Sequence, residues 1–215
     1  SFPTRRSSDL ATRIITDSRQ AEAGDVFVAL VGEQFDGHDY VADVLAKGVA
    51  AVIVSREIVA GDARQIVVAD TLAALGQIAQ AWRLKWNPKI VALTGSNGKT
   101  TVKEMCAAIL RTALGDDAVL ATAGNFNNEI GMPLTLLRLQ AAHKVAVLEM
   151  GMNHFGELAR LTQIAQPDVA LVNNASRAHI GNDFNGVTDI ARAKSEIYAG
   201  LNPNTGMAIL PCEDA

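Results

Sequence analysis

Short apolar runs, separated by polar turns, alternate with helical patterns along most of the chain. In the first third, four runs rich in β-branched residues are bounded by turn residues, which is typical of short strands. They are RIITDSR, DVFVAL, VAAVIVS and QIVVAD. Between the second and third runs, YVADVLAKG has helical spacing and ends at Gly48, a residue type that commonly terminates helices. This alternation predicts a small α/β domain.

A longer helix is predicted after this domain, at Thr71–Trp86. Its apolar positions recur every three or four residues on one face. These are Leu75, Ile78, Ala79, Trp82 and Trp86. The dipeptide Asn87-Pro88 ends the pattern, because the residue before a proline disfavours helical conformation. We therefore expect a first domain at 11–87 and a second domain at 88–215.

Beyond Pro88, apolar runs alternate with helical patterns in a second series. The runs are KIVALT, AVLATA, KVAVLEMG, DVALVNN and GMAIL. Strands that are apolar at nearly every position are buried on both faces, which favours a parallel sheet covered by helices. Because ligands of such sheets bind beyond the carboxyl ends of the strands, the residues after each run are the candidates for chemistry.

Composition narrows the possible functions without choosing one. The chain has 215 residues, of which 49% are hydrophobic and 20% charged, and its formal net charge is -4. No apolar run approaches the ~18 residues of a membrane span, and no basic stretch indicates a nucleic-acid partner. Cys106 and Cys212 show no ligand-like spacing. We expect a cytoplasmic monomer without membrane or nucleic-acid partners, whose residues 1–10 are an unstructured or non-native tail.

The stretch ALTGSNGKTT has the components of a phosphate-binding loop but lacks the usual glycine spacing. Two glycines can turn backbone amides towards one point, a lysine adds positive charge, and a threonine can ligate magnesium. The loop residues are Thr94, Gly95, Ser96, Asn97, Gly98, Lys99, Thr100 and Thr101. A Gly-Asn turn ahead of a capped helix is the alternative interpretation.

The helix predicted after the loop has an apolar stripe. Its positions are Val102, Met105, Cys106, Ile109 and Leu110. We expect this stripe, including Cys106, to face the core.

Polar residues follow three other predicted strands. Asn125, Asn127 and Asn128 form either a ligand-binding loop or a plain turn. Glu149 ends an apolar run, where its carboxylate could hold magnesium opposite the phosphates or be a solvated acid. His179 follows the next run and is either a metal ligand or a structural histidine.

Lys194 lies within an apolar stripe of the last predicted helix, which begins at Asp189. The stripe consists of Ile190, Ala193, Ile197 and Leu201. A lysine at such a position either extends its ammonium to solvent, pairs, or changes its chemistry. A desolvated neutral amine can react with carbon dioxide to form a carbamate, which could ligate a metal.

Taken together, these stretches resemble the Mur ligase family, whose members are ATP-dependent enzymes that form amide bonds in bacterial cell-wall precursor synthesis. The resemblance runs from about Thr16 to Leu210. It rests on DSR at Asp17–Arg19, GDVFVALVGEQFDGHDY from Gly24, TGSNGKTT, Glu149, His179 and ARAKSEIY around Lys194. Within the family, TAGNFNNEIGMPLTLL and EMGMNHFGELARL most resemble members whose acceptor is D-alanyl-D-alanine.

The resemblance implies an α/β fold, with a small N-terminal UDP-sugar-binding domain, a truncated parallel-sheet P-loop-type ATPase domain, and an absent C-terminal domain. It implies ATP and Mg²⁺ as cofactors. It implies catalytic or metal-site roles for Lys99, Thr100, Glu149, His179 and Lys194, the last as a carbamate. It implies that the UDP-sugar is contacted by Ser18, Arg19, Gln34, Phe35, Asp36, Asn125, Asn127 and Asn128.

The implied reaction joins D-alanyl-D-alanine to UDP-N-acetylmuramoyl-tripeptide through an acyl phosphate. One alternative is a related ligase that adds a single amino acid. A second is a nucleotide-binding module without turnover, since this fragment lacks the domain that presents the acceptor.

Overall fold

Parallel strands dominate both halves of the computed structural model, which describes residues 13–32, 34–176 and 184–211. The chain divides into two units, one ending at Leu75 and the other beginning at Gly76. The tail predicted at residues 1–10 lies outside the described residues. Each unit has its own sheet and its own apolar core.

In the described part of the first unit, four parallel strands form a sheet in the order β1-β2-β3-β4. Their bounds are Ile14–Ile15 for β1, Val26–Val28 for β2, Ala51–Val54 for β3 and Gln65–Val67 for β4. Every run predicted as a strand in this unit is confirmed. Because all neighbours are parallel, the carboxyl ends of the strands meet at one edge of the sheet.

Helix α1, Val41–Ala46, covers one face of this sheet. It buries Val41, Val44 and Leu45 in the core of the unit. Gly48 ends the helical segment with φ +82°, in the left-handed region where glycine carries no side-chain penalty. Two short 3-10 helices, Ser18–Gln20 and Gly37–Tyr40, follow β1 and precede α1.

Helix α2, Thr71–Trp86, has the predicted bounds, and the division between the two units falls within it. Its later turns form hydrogen bonds with other segments of the second unit. The Trp82 indole donates to the Leu139 carbonyl at 3.0 Å, and the buried Arg83 guanidinium donates to the Ala165 carbonyl at 2.8 Å. These bonds explain why the division lies earlier than the boundary expected after residue 87.

Within the described residues of the second unit, five parallel strands form a sheet in the order β6-β7-β5-β8-β9. Their bounds are Lys89–Thr94 for β5, Val119–Ala121 for β6, Val145–Glu149 for β7, Val169–Val172 for β8 and Met207–Ile209 for β9. The predicted parallel sheet and strands are confirmed. Strand β5 lies between β7 and β8, so the loop that follows it is central at the carboxyl edge.

Helices connect these strands and cover the sheet. Their bounds are Lys99–Leu114 for α3, Gly131–Leu136 for α4, Glu157–Ala165 for α5 and Val187–Ser195 for α6, with 3-10 helices at Asp116–Ala118 and Glu196–Gly200. The main core combines β-strand residues such as Ile90 and Leu148 with helical residues such as Leu161 and Ile190. In the part of the chain described, no helix has both the length and the apolar character needed to cross a membrane.

The apolar stripe predicted for α3 is wrong in part. Met105 and Ile109 are 60% and 67% exposed, whereas Val102, Cys106 and Leu110 are partly buried and pack against the core, as predicted. The fully buried positions of α3 are Lys103 and Ala107. A pattern that counts only apolar residues could not place a lysine on the buried face, so it extended the stripe to Met105 and Ile109 on the exposed side of α3.

Candidate nucleotide and metal site

The loop between β5 and α3 has the strand-to-helix setting that phosphate-binding loops require. Gly98 has φ +73° and immediately precedes the first helical residue, Lys99. A side chain at Gly98 would also meet the Asn173 amide nitrogen, 3.1 Å from the position of an added Cβ. The helix N-terminus adds partial positive charge at the same place.

Residues that follow β8 hold this loop in place. The side-chain amides of Asn173 and Asn174 both donate to the Asn97 carbonyl, at 2.8 and 3.0 Å. The Asn97 backbone N–H donates to Asn174 Oδ1 at 3.0 Å. The Ser96 hydroxyl donates to the Ser176 carbonyl at 3.1 Å and accepts from the Ser176 N–H at 2.9 Å. We call these contacts the loop brace.

Sequence reasoning missed the loop brace. The only signal in the sequence is the polar run NNAS directly after an apolar strand. Short polar residues after a strand can hydrogen-bond backbone groups of a neighbouring loop, but the sequence does not say which loop.

Glu149 ends strand β7 beside the loop and is 3% exposed. Its Oε2 accepts a hydrogen bond from the Thr100 hydroxyl at 2.9 Å, and its Oε1 accepts one from the Asn127 amide at 2.9 Å. The backbone N–H of Glu149 donates to the Thr122 hydroxyl at 3.0 Å. Thr100 and Glu149, which are predicted to share a metal, therefore touch each other.

The other loop residues differ in exposure. Lys99 is partly buried and its ammonium donates to the Gly95 carbonyl at 2.8 Å, within the loop. Thr94 is completely buried, and its hydroxyl has no hydrogen-bond partner among the described residues. Thr101, in the first turn of α3, is exposed. At the carboxyl edge of the sheet, the side chains of Lys99, Thr100 and Thr101 are therefore accessible and could contact a ligand.

Lys194 is 1% exposed on helix α6, so its ammonium does not reach solvent. Burial, and then the positive charge of Lys99, lower the pKa of Lys194 to about 8. The ammonium has no hydrogen-bond or ion-pair partner among residues 13–32, 34–176 and 184–211. A larger share of this amine is therefore neutral near physiological pH than for an ordinary lysine. His179 lies outside the described residues.

The three asparagines of the segment before α4 have different surroundings. Asn127 contacts Glu149, as described above, whereas the Asn128 side chain accepts from the backbone N–H of Gly131 at 2.8 Å. The Asn125 side chain is exposed. Gly131 is required here, because a Cβ would lie 2.4 Å from the Phe126 Cα. The segment therefore combines a tight backbone contact with one amide directed at Glu149.

In the first unit, a cavity of about 470 Å³ opens beside three of the predicted UDP-sugar residues. The cavity is lined by Thr16, Asp17, Ser18, Arg19, Phe27, Phe35, Gly37 and Tyr40. Arg19 is bound to Asp17, with 2.7 Å between Nη2 and Oδ2. The hydrogen bonds from Arg19 lower the pKa of Asp17 to about 2, so that carboxylate is ionised at neutral pH.

Two further predicted residues, Gln34 and Asp36, are not among the cavity-lining residues. Asp36 accepts from the His38 backbone at 2.9 Å and from its ring Nδ1 at 2.5 Å, and it also pairs with Arg56. These contacts lower the pKa of Asp36 to about 2. Ser55 donates its backbone N–H to His38 Nε2 at 2.9 Å, which fixes the proton of the neutral ring on Nδ1. The buried His38 was not recognised from the sequence.

The oxygen donors of the second unit fit magnesium. Magnesium keeps several waters and usually binds through one or two carboxylates together with substrate phosphates. The Thr100 hydroxyl and the Glu149 carboxylate supply such oxygens next to the loop. No group of three or more His, Cys, Asp or Glu side chains that could hold a metal alone occurs in the described ranges, which exclude His179. The arrangement suits an ion that is shared with a bound phosphate.

Comparison with protein families defines the class of the chain. Residues 93–215 match the Mur ligase middle domain, and residues 11–83 match the catalytic domain of the Mur ligase family. Because the first match alone covers more than half of the 215 residues, the chain belongs to the Mur ligase family.

Individual relatives carry more specific names. The chain is 48% identical to the UDP-N-acetylmuramoyl-tripeptide--D-alanyl-D-alanine ligase of Haemophilus influenzae, over 94% of this chain and 44% of that protein. It is 45% identical to the Escherichia coli ligase of the same name, over 94% of this chain and 43% of that protein. The chain therefore spans less than half the length of these curated relatives.

Solved structures agree with this similarity. A crystal structure of MurF from Acinetobacter baumannii is 47% identical, with a TM-score of 0.89 over 95% of this chain and 44% of that one. The MurF ligase from Thermotoga maritima, solved in complex with ADP, is 33% identical, with a TM-score of 0.87 over 97% of this chain and 48% of that one. The predicted fold class is confirmed.

Proposed function

We propose that this chain is part of an ATP-dependent ligase that joins D-alanyl-D-alanine to UDP-N-acetylmuramoyl-tripeptide in peptidoglycan precursor synthesis. The observation that carries the proposal is the contact between the Thr100 hydroxyl and the Glu149 carboxylate, beside a lysine-bearing strand-to-helix loop, in a member of the Mur ligase family. The choice of acceptor is supported by 48% identity to a ligase named for D-alanyl-D-alanine.

We assign ATP binding to the loop from Thr94 to Thr101. Its amides at the start of α3, together with Lys99, provide positive potential for the triphosphate. The Lys99 ammonium donates only to the Gly95 carbonyl among the described residues, so it can exchange this partner for a phosphate oxygen. A charged donor gains more from a phosphate than from a neutral carbonyl.

We assign Mg²⁺ to the oxygens of Thr100 and Glu149, with His179 and carbamylated Lys194 as further members of the metal site. When bound, the ion would neutralise charge on the transferring phosphoryl group. Glu149 is held from both of its oxygens and from its backbone, so its carboxylate is oriented before any ligand arrives. Carbamylation of Lys194 would form a bond between the neutral amine nitrogen and the carbon of carbon dioxide, with loss of one proton from that nitrogen, and would place an anionic oxygen ligand where the ammonium lies. Starting from the ammonium, two protons are released for each carbon dioxide consumed.

The proposed reaction has two steps. The terminal carboxylate of the tripeptide attacks the γ-phosphorus of ATP, which forms an acyl phosphate and breaks the bond to the departing ADP. The amine of the dipeptide then attacks the acyl carbon, phosphate leaves, and the nitrogen loses a proton. The first step brings two anions together, so positioning and charge neutralisation by Lys99 are the main contributions expected from this chain.

We assign the UDP-sugar to the first unit, residues 11–87 by sequence. The cavity beside Ser18, Arg19 and Phe35 supports this assignment, because it combines an aromatic ring with a guanidinium that can contact phosphate. Gln34, Asp36, Asn125, Asn127 and Asn128 are the remaining candidates for contacts with the nucleotide sugar. Because the reaction consumes ATP, we place it in the cytoplasm.

Phosphate release from ATP tests the proposed function. The protein is extended to the length of its relatives and supplied with ATP, Mg²⁺ and UDP-N-acetylmuramoyl-tripeptide, with D-alanyl-D-alanine either present or withheld. We expect release that depends on the dipeptide, with D-alanine alone as the matched control.

Two other outcomes point to different functions. Release that depends on a single amino acid would contradict the assigned acceptor and indicate a related ligase of the family. Binding of ATP and UDP-sugar without any release would indicate a nucleotide-binding module.

A further inference from the structure

Lys103 is a second buried lysine near the candidate site, and neither the family resemblance nor the proposed reaction assigns it a role. It lies on α3, one turn after Lys99, and is 1% exposed. Its ammonium donates to the Thr122 carbonyl at 2.8 Å and forms an ion pair with Glu104 at 2.7 Å. The Lys103 side chain is thus buried on the face of α3 that packs against the sheet, and its terminal ammonium has two partners.

Thr122 links this lysine to the candidate metal ligand. It follows strand β6, and its own backbone N–H donates to the Val147 carbonyl at 3.0 Å. Its hydroxyl accepts the backbone N–H of Glu149 at 3.0 Å. One residue, 2% exposed, therefore receives the Lys103 ammonium on its carbonyl and the Glu149 amide on its hydroxyl.

Helix α3 thus reaches Glu149 by two routes. The direct route is the hydrogen bond from the Thr100 hydroxyl to the Glu149 carboxylate. The indirect route runs from Lys103 through Thr122 to the Glu149 backbone. The first route acts on the carboxylate itself, whereas the second fixes where the strand presents it.

Burying an ammonium carries a desolvation cost of several kcal/mol unless it is well paired. A methionine or leucine at position 103 would fill similar space on the apolar side of α3 without that cost. A lysine therefore suits this position because a donor is needed at the Thr122 carbonyl. The exposed Glu104 also benefits, since its bond to Lys103 lowers the pKa of its carboxyl group.

We propose that Lys103 is a positioning residue that sets the place of Glu149, and through it the magnesium affinity of the nucleotide site, by holding Thr122. This inference rests on the proposed function, in which Glu149 binds Mg²⁺ together with ATP. Lys103 itself is too deeply buried to touch the nucleotide, so its removal changes ion binding more than it changes binding of the UDP-sugar.

The test compares Lys103→Met with Lys144→Met in the protein extended to the length of its relatives. Met matches the length of lysine but donates no hydrogen bond. Lys144 is an exposed lysine, and its side chain forms no hydrogen bond or ion pair within the described residues. For each variant, binding of a fluorescent ADP analogue is titrated with Mg²⁺, and KM for the UDP-tripeptide is measured separately.

For Lys103→Met we expect the Mg²⁺ concentration at half-maximal ADP binding to rise by ~10-fold, as is typical when a residue supporting a metal ligand is removed. KM for the UDP-tripeptide should change less than about twofold, because Lys103 is not among the residues assigned to that substrate. Lys144→Met should match the wild type in both measurements. Lys103→Arg, which keeps a donor and a charge, should restore part of the Mg²⁺ affinity.

Loss of folding in Lys103→Met would be detected by circular dichroism and is covered by a second pair of variants. Thr122→Val removes the hydroxyl that receives Glu149, whereas Thr122→Ser keeps it. We expect weakened Mg²⁺-dependent binding in the valine variant and near-normal binding in the serine variant. If the valine variant binds as the serine variant does, the indirect route is refuted.

Other outcomes are equally decisive. A folded Lys103→Met protein with unchanged Mg²⁺ dependence, or with a uniform loss of kcat alone, would overturn the inference. If the wild type binds Mg²⁺-ADP but catalyses no ligation, the proposed function fails while the Lys103 prediction is still judged by the binding data. If the wild type shows no Mg²⁺-dependent nucleotide binding, both fail.

Discussion

Helices α3 and α6 each bury one lysine to 1% exposure, but the two lysines differ in their partners. Lys103 on α3 donates to a carbonyl and pairs with a carboxylate. Lys194 on α6 has neither kind of partner in the described residues, and burial lowers its pKa to about 8. The Lys103 ammonium therefore has its hydrogen-bonding needs met and holds neighbouring groups in place, whereas the Lys194 amine is free to react. The difference shows that burial alone does not identify a reactive lysine, whereas burial without a partner does suggest one.

A third lysine, Lys99, tests whether positive charge at the loop contributes more to turnover than either buried amine does. Replacing Lys99 by alanine removes the cation assigned to the triphosphate. We expect turnover of the complete enzyme to fall by at least ~100-fold, the usual effect of losing one electrostatic stabiliser. Steady-state phosphate release measures this, with Lys144→Ala as the surface control. Near-normal turnover would remove Lys99 from the mechanism.

Lys194→Ala tests whether the unpaired amine of Lys194 contributes to turnover as a carbamate. We expect turnover to fall by ~10- to 100-fold, because the proposed carbamate would no longer support the metal site. Short carboxylic acids such as acetate should restore several-fold activity by occupying the space of the missing carboxylate. The same acids should not rescue Lys103→Met, whose defect is a missing donor. An active Lys194→Ala enzyme would exclude the carbamate.

Stability should change in opposite directions at the two lysines. Lys103→Met removes a desolvation cost but leaves the buried Thr122 carbonyl unpaired. Because the Lys103 ammonium is hydrogen-bonded and ion-paired, we expect the lost pairing to dominate and the free energy of unfolding to fall by about 1–3 kcal/mol. Lys194→Met removes an unpaired buried cation and should raise it by about 1–3 kcal/mol at pH 7. Urea unfolding in carbon-dioxide-depleted buffer measures both changes. Equal signs would show that the two environments do not differ as described.

The smallest expected effect concerns pH. Because the pKa of Lys194 is lowered to about 8, its neutral share rises from roughly a tenth at pH 7 to more than half above pH 8. Only the neutral amine reacts with carbon dioxide, so the carbamate should increase several-fold between pH 7.0 and 8.5. Carbon-13 NMR with labelled bicarbonate reports this directly. A spectrum without a carbamate signal at either pH, in a protein that binds ADP, would contradict carbamylation.

The strands could be predicted from sequence because both faces of the second sheet are buried, which makes the runs apolar at almost every position. Lys194 was also found by pattern, since it interrupts an otherwise apolar stripe. Lys103 escaped the same method, because Met105 and Ile109 offered a more apolar stripe on the exposed side of α3. Its burial is explained by its hydrogen bond to the Thr122 carbonyl, directly after strand β6, together with its ion pair with Glu104.

Within the candidate site, Thr100 and Glu149 were predicted as partners and are in contact, although their roles remain predictions. Their meeting follows from parallel topology, which brings the carboxyl ends of β5 and β7 together. His38 and the loop brace could not be predicted, because their hydrogen bonds join side chains to backbone groups far away in sequence. Such hydrogen bonds do not produce a periodic pattern of hydrophobic and polar residues from which they could be predicted.

The loop brace also explains how a loop with unusual glycine spacing can keep one shape. The Asn97 backbone is fixed by Asn174, 77 positions later in the chain, so part of the information that specifies the loop is stored outside its own motif. A motif search that scores only these ten residues therefore misses Asn174, which helps to determine the conformation of the loop. If the ten residues alone were grafted into another strand-to-helix turn, we expect that the sequence would be transferred but the loop would not keep its conformation.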